Sequence, residues 1–159
     1  MEKFGLKVQV DFRAAHRLLD YVGNCANLHG EFYIVTFYIE GYKLRSNGLL
    51  IDFKEVKKKI KNWVKEYLDH VTILRKDDPL VEVVKQKSRR VFTMDDNPTA
   101  ENIAKLFWHR FKGAFKDCWV QRVKVQESTP DNIAYYENNI IIKEVITAYE
   151  NPTKSKEIG

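Results

Sequence analysis

Two strand patterns near the start of the chain constrain its fold more than anything else in it. Over residues 4–12, Phe4, Leu6, Val8, Val10 and Phe12 alternate with Lys7, Gln9 and Asp11. A period of two places the apolar groups on one face of a half-buried strand. Residues 31–40, Glu-Phe-Tyr-Ile-Val-Thr-Phe-Tyr-Ile-Glu, are β-branched or aromatic at both parities, which predicts a strand covered on both faces. A further strand is expected over 119–127, with Trp119, Val123 and Val125 on one face, and residues 133–148 read as a hairpin turning at Asn138-Asn139.

Two segments change to a helical period. Asp52 is placed to cap a helix, with Glu55 as its capping-box partner, and Phe53, Val56, Ile60, Trp63, Tyr67 and Leu68 then recur at three- and four-residue steps. Pro98-Thr99-Ala100-Glu101 opens a second helix, capped by Asn97 or Thr99 and carried by Ile103, Leu106, Phe107 and Phe111 to Gly113. Between the helices, Val81 to Val84 and Val91 to Met94 flank Lys87-Ser88-Arg89-Arg90, which suggests an inserted hairpin within residues 76–97. Residues 17–28 read as a loop. The order ββααββ gives an α+β class: an antiparallel, four-stranded sheet with two helices on one face. Residues 1–149 are expected to form one domain, with 150–159 a polar tail.

Composition narrows the function. The chain has 159 residues, 13% of them aromatic, enough apolar surface for one core and too much for disorder. No run of 18 apolar residues predicts a membrane span, and the N-terminus lacks a signal-peptide pattern. Cys25 and Cys118 are therefore expected to be free thiols in a reducing cytoplasm, with Cys118 packed beside Trp119. Lys and Arg number 27 against 22 Asp and Glu; this mild surplus suits an anionic ligand such as a phosphate ester. No block of five like charges supports a nucleic-acid partner, and Lys57-Lys58-Lys59 with Lys61 reads as a solvated helix face.

The residues able to carry chemistry are few. His29 and Glu31, two apart at a strand entrance, share a face, and pairing of the first two strands would bring His16 to the same spot. Two imidazoles and a carboxylate make an open zinc site with a position left for water or substrate; the alternative is a pair of ordinary loop histidines. Cys25 lies in the adjoining loop, where a thiolate could act as a base, or where the side chain is simply small and inert. Asp69-His70 follows the first helix: the carboxylate can orient and charge the imidazole, or the imidazole caps helix carbonyls. Glu127 shares parity with Val123 and Val125, so it points into the apolar face. There it could accept two hydrogen bonds from a flat heterocycle, or meet solvent or an internal arginine.

In order along the chain stand Phe12-Arg-Ala-Ala-His16-Arg-Leu18, Cys25-Ala-Asn-Leu-His29-Gly30, Ile51-Asp52-Phe53, Leu68-Asp69-His70, Pro98-Thr-Ala-Glu-Asn102 and Val125-Gln-Glu127, with Tyr135 beyond. Over residues 4–136 this set resembles the 6-pyruvoyl and 6-carboxy-tetrahydropterin synthase family, and the Cys-x-x-x-His-Gly spacing is nearer the carboxy branch, which feeds queuosine and other deazapurines. The resemblance implies a tunnelling fold, in which sheets of several subunits close into a barrel, and a homo-oligomer, usually a hexamer, with sites between subunits. It implies a lyase acting on 7,8-dihydroneopterin triphosphate with zinc or another divalent metal. His16 and His29 match metal ligands, Cys25 the catalytic base, Asp69 and His70 a proton-relay pair, and Glu127 the carboxylate that anchors the pterin. Asp52 and Glu101 match motif positions read here as helix-capping only. The family usually has His-Gly-His where this chain has His29-Gly30-Glu31. Glu31 is thus either the third ligand, or it turns away and leaves a pterin-binding protein without the metal. A pyruvoyl rather than a carboxy product stays open.

Overall fold

The computed structural model describes residues 1–88 and 90–139. The alternating segment forms β1 (Phe4–His16) and the apolar segment β2 (His29–Gly41), paired antiparallel over their whole length from Phe4↔Gly41 to His16↔His29. Val8, Val10, Phe12, Ala14 and His16 are buried on one face, while Lys7, Gln9, Asp11 and Arg13 stand exposed on the other. On β2, Tyr33, Val35, Phe37 and Ile39 join that buried face, whereas Phe32, Ile34 and Tyr38 are only half-buried. The second face of β2 is therefore partly open within one copy of the chain.

Helix α1 (Phe53–Tyr67) starts where expected, because the Asp52 carboxylate accepts from the Lys54 N–H at 2.7 Å. Glu55 does not complete a capping box; it pairs with Arg45. Four elements follow: β3 (Val71–Arg75), α2 (Leu80–Lys87), β4 (Val91–Met94) and α3 (Ala100–Phe111). Thr99 rather than Asn97 caps α3, its hydroxyl accepting from the Asn102 N–H. Strands β5 (Trp119–Glu127) and β6 (Ile133–Glu137) close the described fold.

The sheet has six strands in the order β4-β3-β1-β2-β5-β6. Four consecutive strands, β1-β2-β5-β6, are the antiparallel four-stranded unit expected from the sequence; β3 and β4 extend it with parallel pairing beyond β1. The segment 76–97 is not a hairpin. Val81 to Val84 lie in helix α2, entered through Pro79 and a turn in which the Asp78 carboxylate accepts from Leu80 N–H, and only Val91 to Met94 form a strand. The Val-rich composition favours a strand, but the Asp78-Pro79 turn leads the chain into a helix. A bulge between Tyr38 and Ile39, opposite Gln121, shifts the β5 register, so Val120, not Trp119, shares the core face with Val123 and Val125. The far part of the hairpin expected over 133–148 and the tail 150–159 lie outside the described residues.

Helices α1 and α3 cover one face of the sheet. Phe107 packs on Phe12, Phe37 and Trp63, and Phe111 on Phe37 and Trp63. Burying each such ring contributes roughly 1.5–3 kcal/mol. Cys118 is buried, as expected, and both cysteines are free thiols. No helix among the described residues is long and apolar enough to cross a membrane.

Candidate active site

The end of β1 and the start of β2 are directly paired, which fixes His16 opposite His29. Their ring centroids lie 4.6 Å apart and their Nε2 atoms 3.1 Å apart. Both outer nitrogens face backbone carbonyls: His16 Nδ1 donates to Pro98 O at 2.9 Å and His29 Nδ1 to Asn27 O at 2.7 Å. A carbonyl only accepts, so each Nδ1 carries the proton and each Nε2 presents a lone pair. Burial is the main cause that pulls the His16 pKa below its ordinary value, with His29 adding to it against the Pro98 and Glu31 contributions. Two lone pairs this close repel unless a cation sits between them.

Glu31 completes the group. Its Oε1 lies 3.6 Å from His29 Nε2, and one ligand atom from each of His16, His29 and Glu31 falls within 4.8 Å of the others. The donor set and its carbonyl-bound outer nitrogens fit a divalent metal with three protein ligands. The other Glu31 oxygen, Oε2, accepts from the Ser128 hydroxyl.

Beside this cluster a cavity of about 340 Å³ is lined by His16, Cys25, Glu101, Glu127 and Asn132, among others. Cys25 sits on a short 3-10 turn, Asn24–Ala26, in the loop between β1 and β2, and is half-buried. That loop is held on both sides. Leu18 N–H donates to Cys25 O, Asn97 binds both backbone groups of Leu19, and Arg17 forms a two-pronged pair with Asp78 at 2.5 and 2.7 Å. Glu127 lies opposite Tyr33 in the ladder and faces the core side, as its parity predicted. Its Oε1 is buried without a hydrogen-bond partner among the described residues. Burial, then the nearby Glu31 and Glu101 carboxylates, push its pKa up to about 7. An acceptor left buried and unpaired costs about 1–3 kcal/mol, and a donor-bearing ligand would recover it.

Asp69 and His70 form a pair of their own. The Asp69 carboxylate accepts from Arg13 N–H at 3.1 Å and lies 2.8 Å from His70 Nδ1. Burial opposes ionisation of Asp69, but the Arg13 and His70 hydrogen bonds and Arg90 outweigh it, so its pKa falls below the usual range. His70 caps no helix carbonyl with its ring. It takes up a left-handed φ of 58° where the chain leaves α1, and its N–H donates to Arg13 O. Its ring, 71% exposed, borders a different cavity of about 500 Å³ with Arg13, Phe32 and Glu31. One chain thus gathers His16, His29 and Glu31 beside the cavity of Cys25 and Glu127, and leaves His70 on the other cavity, which Glu31 also borders.

The sequence pattern of the 6-pyruvoyl tetrahydropterin synthase family matches residues 5–139. The chain belongs to that family. It is accordingly an enzyme, a lyase of the tetrahydropterin synthase type. It is 35% identical over 98 residues to the 6-carboxy-5,6,7,8-tetrahydropterin synthase of Rickettsia conorii, covering 60% of this chain and 71% of the relative. It is 28% identical over 127 residues to the enzyme of the same name from Aquifex aeolicus, covering 73% and 78%. The fold matches an uncharacterised protein from Wolinella succinogenes, with a TM-score of 0.75 at 21% identity over 87% of this chain and 99% of the other. It also matches the Caenorhabditis elegans 6-pyruvoyl tetrahydropterin synthase, with a TM-score of 0.63 at 24% identity over 87% and 97%. These likenesses make the architecture the tunnelling fold.

Three contributors were not read from the sequence. Glu101, taken for a capping residue, lines the Glu127 cavity because Thr99 does the capping. Tyr33 places its hydroxyl 3.0 Å from His16 Nδ1; its parity with Glu31 was the available signal. Ser128 carried none, since its role depends on where β5 ends beside β2.

Proposed function

We propose that the chain is a metal-dependent lyase that eliminates triphosphate from 7,8-dihydroneopterin triphosphate and then, with water, splits the side chain between its first two carbons to yield a 6-carboxy-tetrahydropterin and a two-carbon aldehyde, with the uncleaved pyruvoyl product as the competing outcome. The observation that carries this is the facing pair of His16 and His29 Nε2 atoms, 3.1 Å apart and closed by Glu31, next to a cavity with a thiol and a carboxylate oxygen that has no hydrogen-bond partner among the described residues. His16, His29 and Glu31 would hold the metal, zinc by its donor set. When bound, such an ion polarises the hydroxyls of the substrate side chain.

The remaining work falls to this chain's own groups. Glu127, with Glu101 nearby, accepts from the amide and amino donors of the pterin, which fixes the ring and supplies the positioning advantage. Cys25, half-buried in a clamped loop, removes a proton from the side chain. The His70 ring is largely exposed and lies outside the cavity that holds Cys25 and Glu127, and the Asp69-His70 pair returns a proton in the site of a neighbouring copy. This requires a homo-oligomer, a hexamer with sites at subunit interfaces, and the half-open second face of β2 is surface that such closure would cover. The setting is cytoplasmic, with no nucleic acid or membrane involved.

Incubation with dihydroneopterin triphosphate, with product mass and bound metal measured together, tests the proposal. Near-stoichiometric metal, released triphosphate and a carboxy-tetrahydropterin mass are expected. A pyruvoyl mass moves the chain to the other branch. Metal-free protein that binds a pterin without turnover overturns the lyase reading.

A further inference from the structure

Glu31 is held by more than its place on β2. Its Oε2 accepts from the Ser128 hydroxyl, while Oε1 faces the imidazoles. Ser128 lies just past β5, where its N–H donates to Phe32 O at 2.8 Å and its φ of 44° is left-handed. Glycine or asparagine suits that backbone better than serine. What serine adds is the hydroxyl, and the hydroxyl is spent on Glu31. Glu31 also borders the cavity lined by Arg13, so an untethered carboxylate has a competing cation on that side.

We propose that Ser128 is a positioning residue for the metal centre: its hydroxyl fixes one carboxylate oxygen of Glu31 so that the other stays turned toward His16 and His29. The inference rests on the reading that these three residues hold a metal. It accounts for how a carboxylate, longer and freer than the histidine usual at this position, is kept in a ligating pose. A hydrogen bond to the non-ligating atom sets the direction of the ligating one.

The left-handed φ makes a clean test available. Ser128→Gly removes the hydroxyl and relieves the backbone, so its thermal unfolding should match or exceed that of the parent. Its zinc affinity, measured by chelator competition, should fall about 10- to 100-fold, the usual effect of losing an outer partner, and the visible spectrum of its cobalt form should change. Ser128→Asn keeps an N–H donor and tolerates the same φ, and should recover most of the affinity. A parent protein that takes up neither zinc nor cobalt overturns the metal reading and this inference with it. A parent that binds, with Ser128→Gly binding equally well or Ser128→Asn as weak as glycine, overturns the role of Ser128 alone.

Discussion

The end of β1 and the start of β3 treat their chemistry in opposite ways. At the β1–β2 end, His16 is 3% exposed, its partners are the Pro98 carbonyl, a tyrosine and His29, and Glu31 is tethered. The groups are positioned before any ligand arrives, which keeps the reorganisation needed at reaction small. At the α1–β3 junction, Asp69 and His70 are joined to each other but displayed outward, with the imidazole largely in solvent. Antiparallel pairing explains the first arrangement, since it puts residues 13 apart in sequence face to face. The second is half a device: an oriented acid–base pair set apart from the cavity that holds its own chain's Cys25 and Glu127. One chain therefore carries a finished binding centre and an unfinished proton relay.

The contrast breaks most readily at the finished end. His16→Ala should cost more metal affinity than the ~100-fold typical of an outer partner, and turnover should vanish with it. Metal analysis of the purified variant checks this, and full metal content would dissolve the contrast. Next in size, Cys25→Ala and His70→Ala should each lower turnover by roughly 10²–10⁴-fold, as for loss of a general base or acid. Unfolding and refolding the two variants together sharpens the point. If the relay serves a neighbour's site, about a quarter of the sites in mixed oligomers regain both groups, half times half, and activity returns. If each site lies within one chain, mixing recovers nothing.

Legibility in the sequence follows the same division. The alternation of Phe4 to Phe12 and the parity of His29, Glu31 and Glu127 are strand properties, and they translated directly into shared faces. Asp52 and the Pro98-Thr99 start marked two helices by local caps. Strand β3 was hidden because Val71 to Arg75 follows α1 at once and is a strand only by pairing: three rungs with β1 and four with β4. Helix α2 is masked because Val81, Val83 and Val84 favour a strand, while the Asp78 carboxylate in the turn that leads into it also serves Arg17 from 61 residues away. Contacts across such distances leave no period to read. For the same reason Ser128 was invisible and the outward placement of His70 could not be foreseen.

The insertion ties itself to the finished end through Asp78, whose side chain is fully buried while Arg17 is 22% exposed. Asp78→Asn keeps the shape but withdraws the charge that Arg17 pairs with and weakens the turn that leads into α2. Breaking one partner of a buried pair costs up to about 3–5 kcal/mol, so about 2–4 is expected here given the partial exposure of Arg17. Chemical denaturation measures it. Because Arg17 follows His16 directly and opens the Cys25 loop, turnover should fall further than stability alone explains. A loss below about 0.5 kcal/mol, the range of an ordinary surface change, would place the insertion outside the site's support.

Glu127 gives the smallest effect and the one with the most informative sign. Its folded pKa of about 7 lies above the 4.5 of an unperturbed glutamate. Below pH 4.5 the group is protonated in both the folded and the unfolded chain and contributes nothing to stability. As pH rises through 4.5 to 7, the unfolded chain ionises first and the fold is penalised; above 7 the penalty is constant. Glu127→Gln removes it. In metal-free protein the variant should therefore match the parent near pH 4 and exceed it above pH 7 by about 1–2 kcal/mol, allowing for the partial exposure of the group. Its pterin affinity should fall at the same time, because the amide offers one acceptor where the carboxylate offered two. A stability gain of the same size at both pH values would mean that Glu127 is not held there against its charge, and the finished end would lose the strained acceptor that marks it as a binding site.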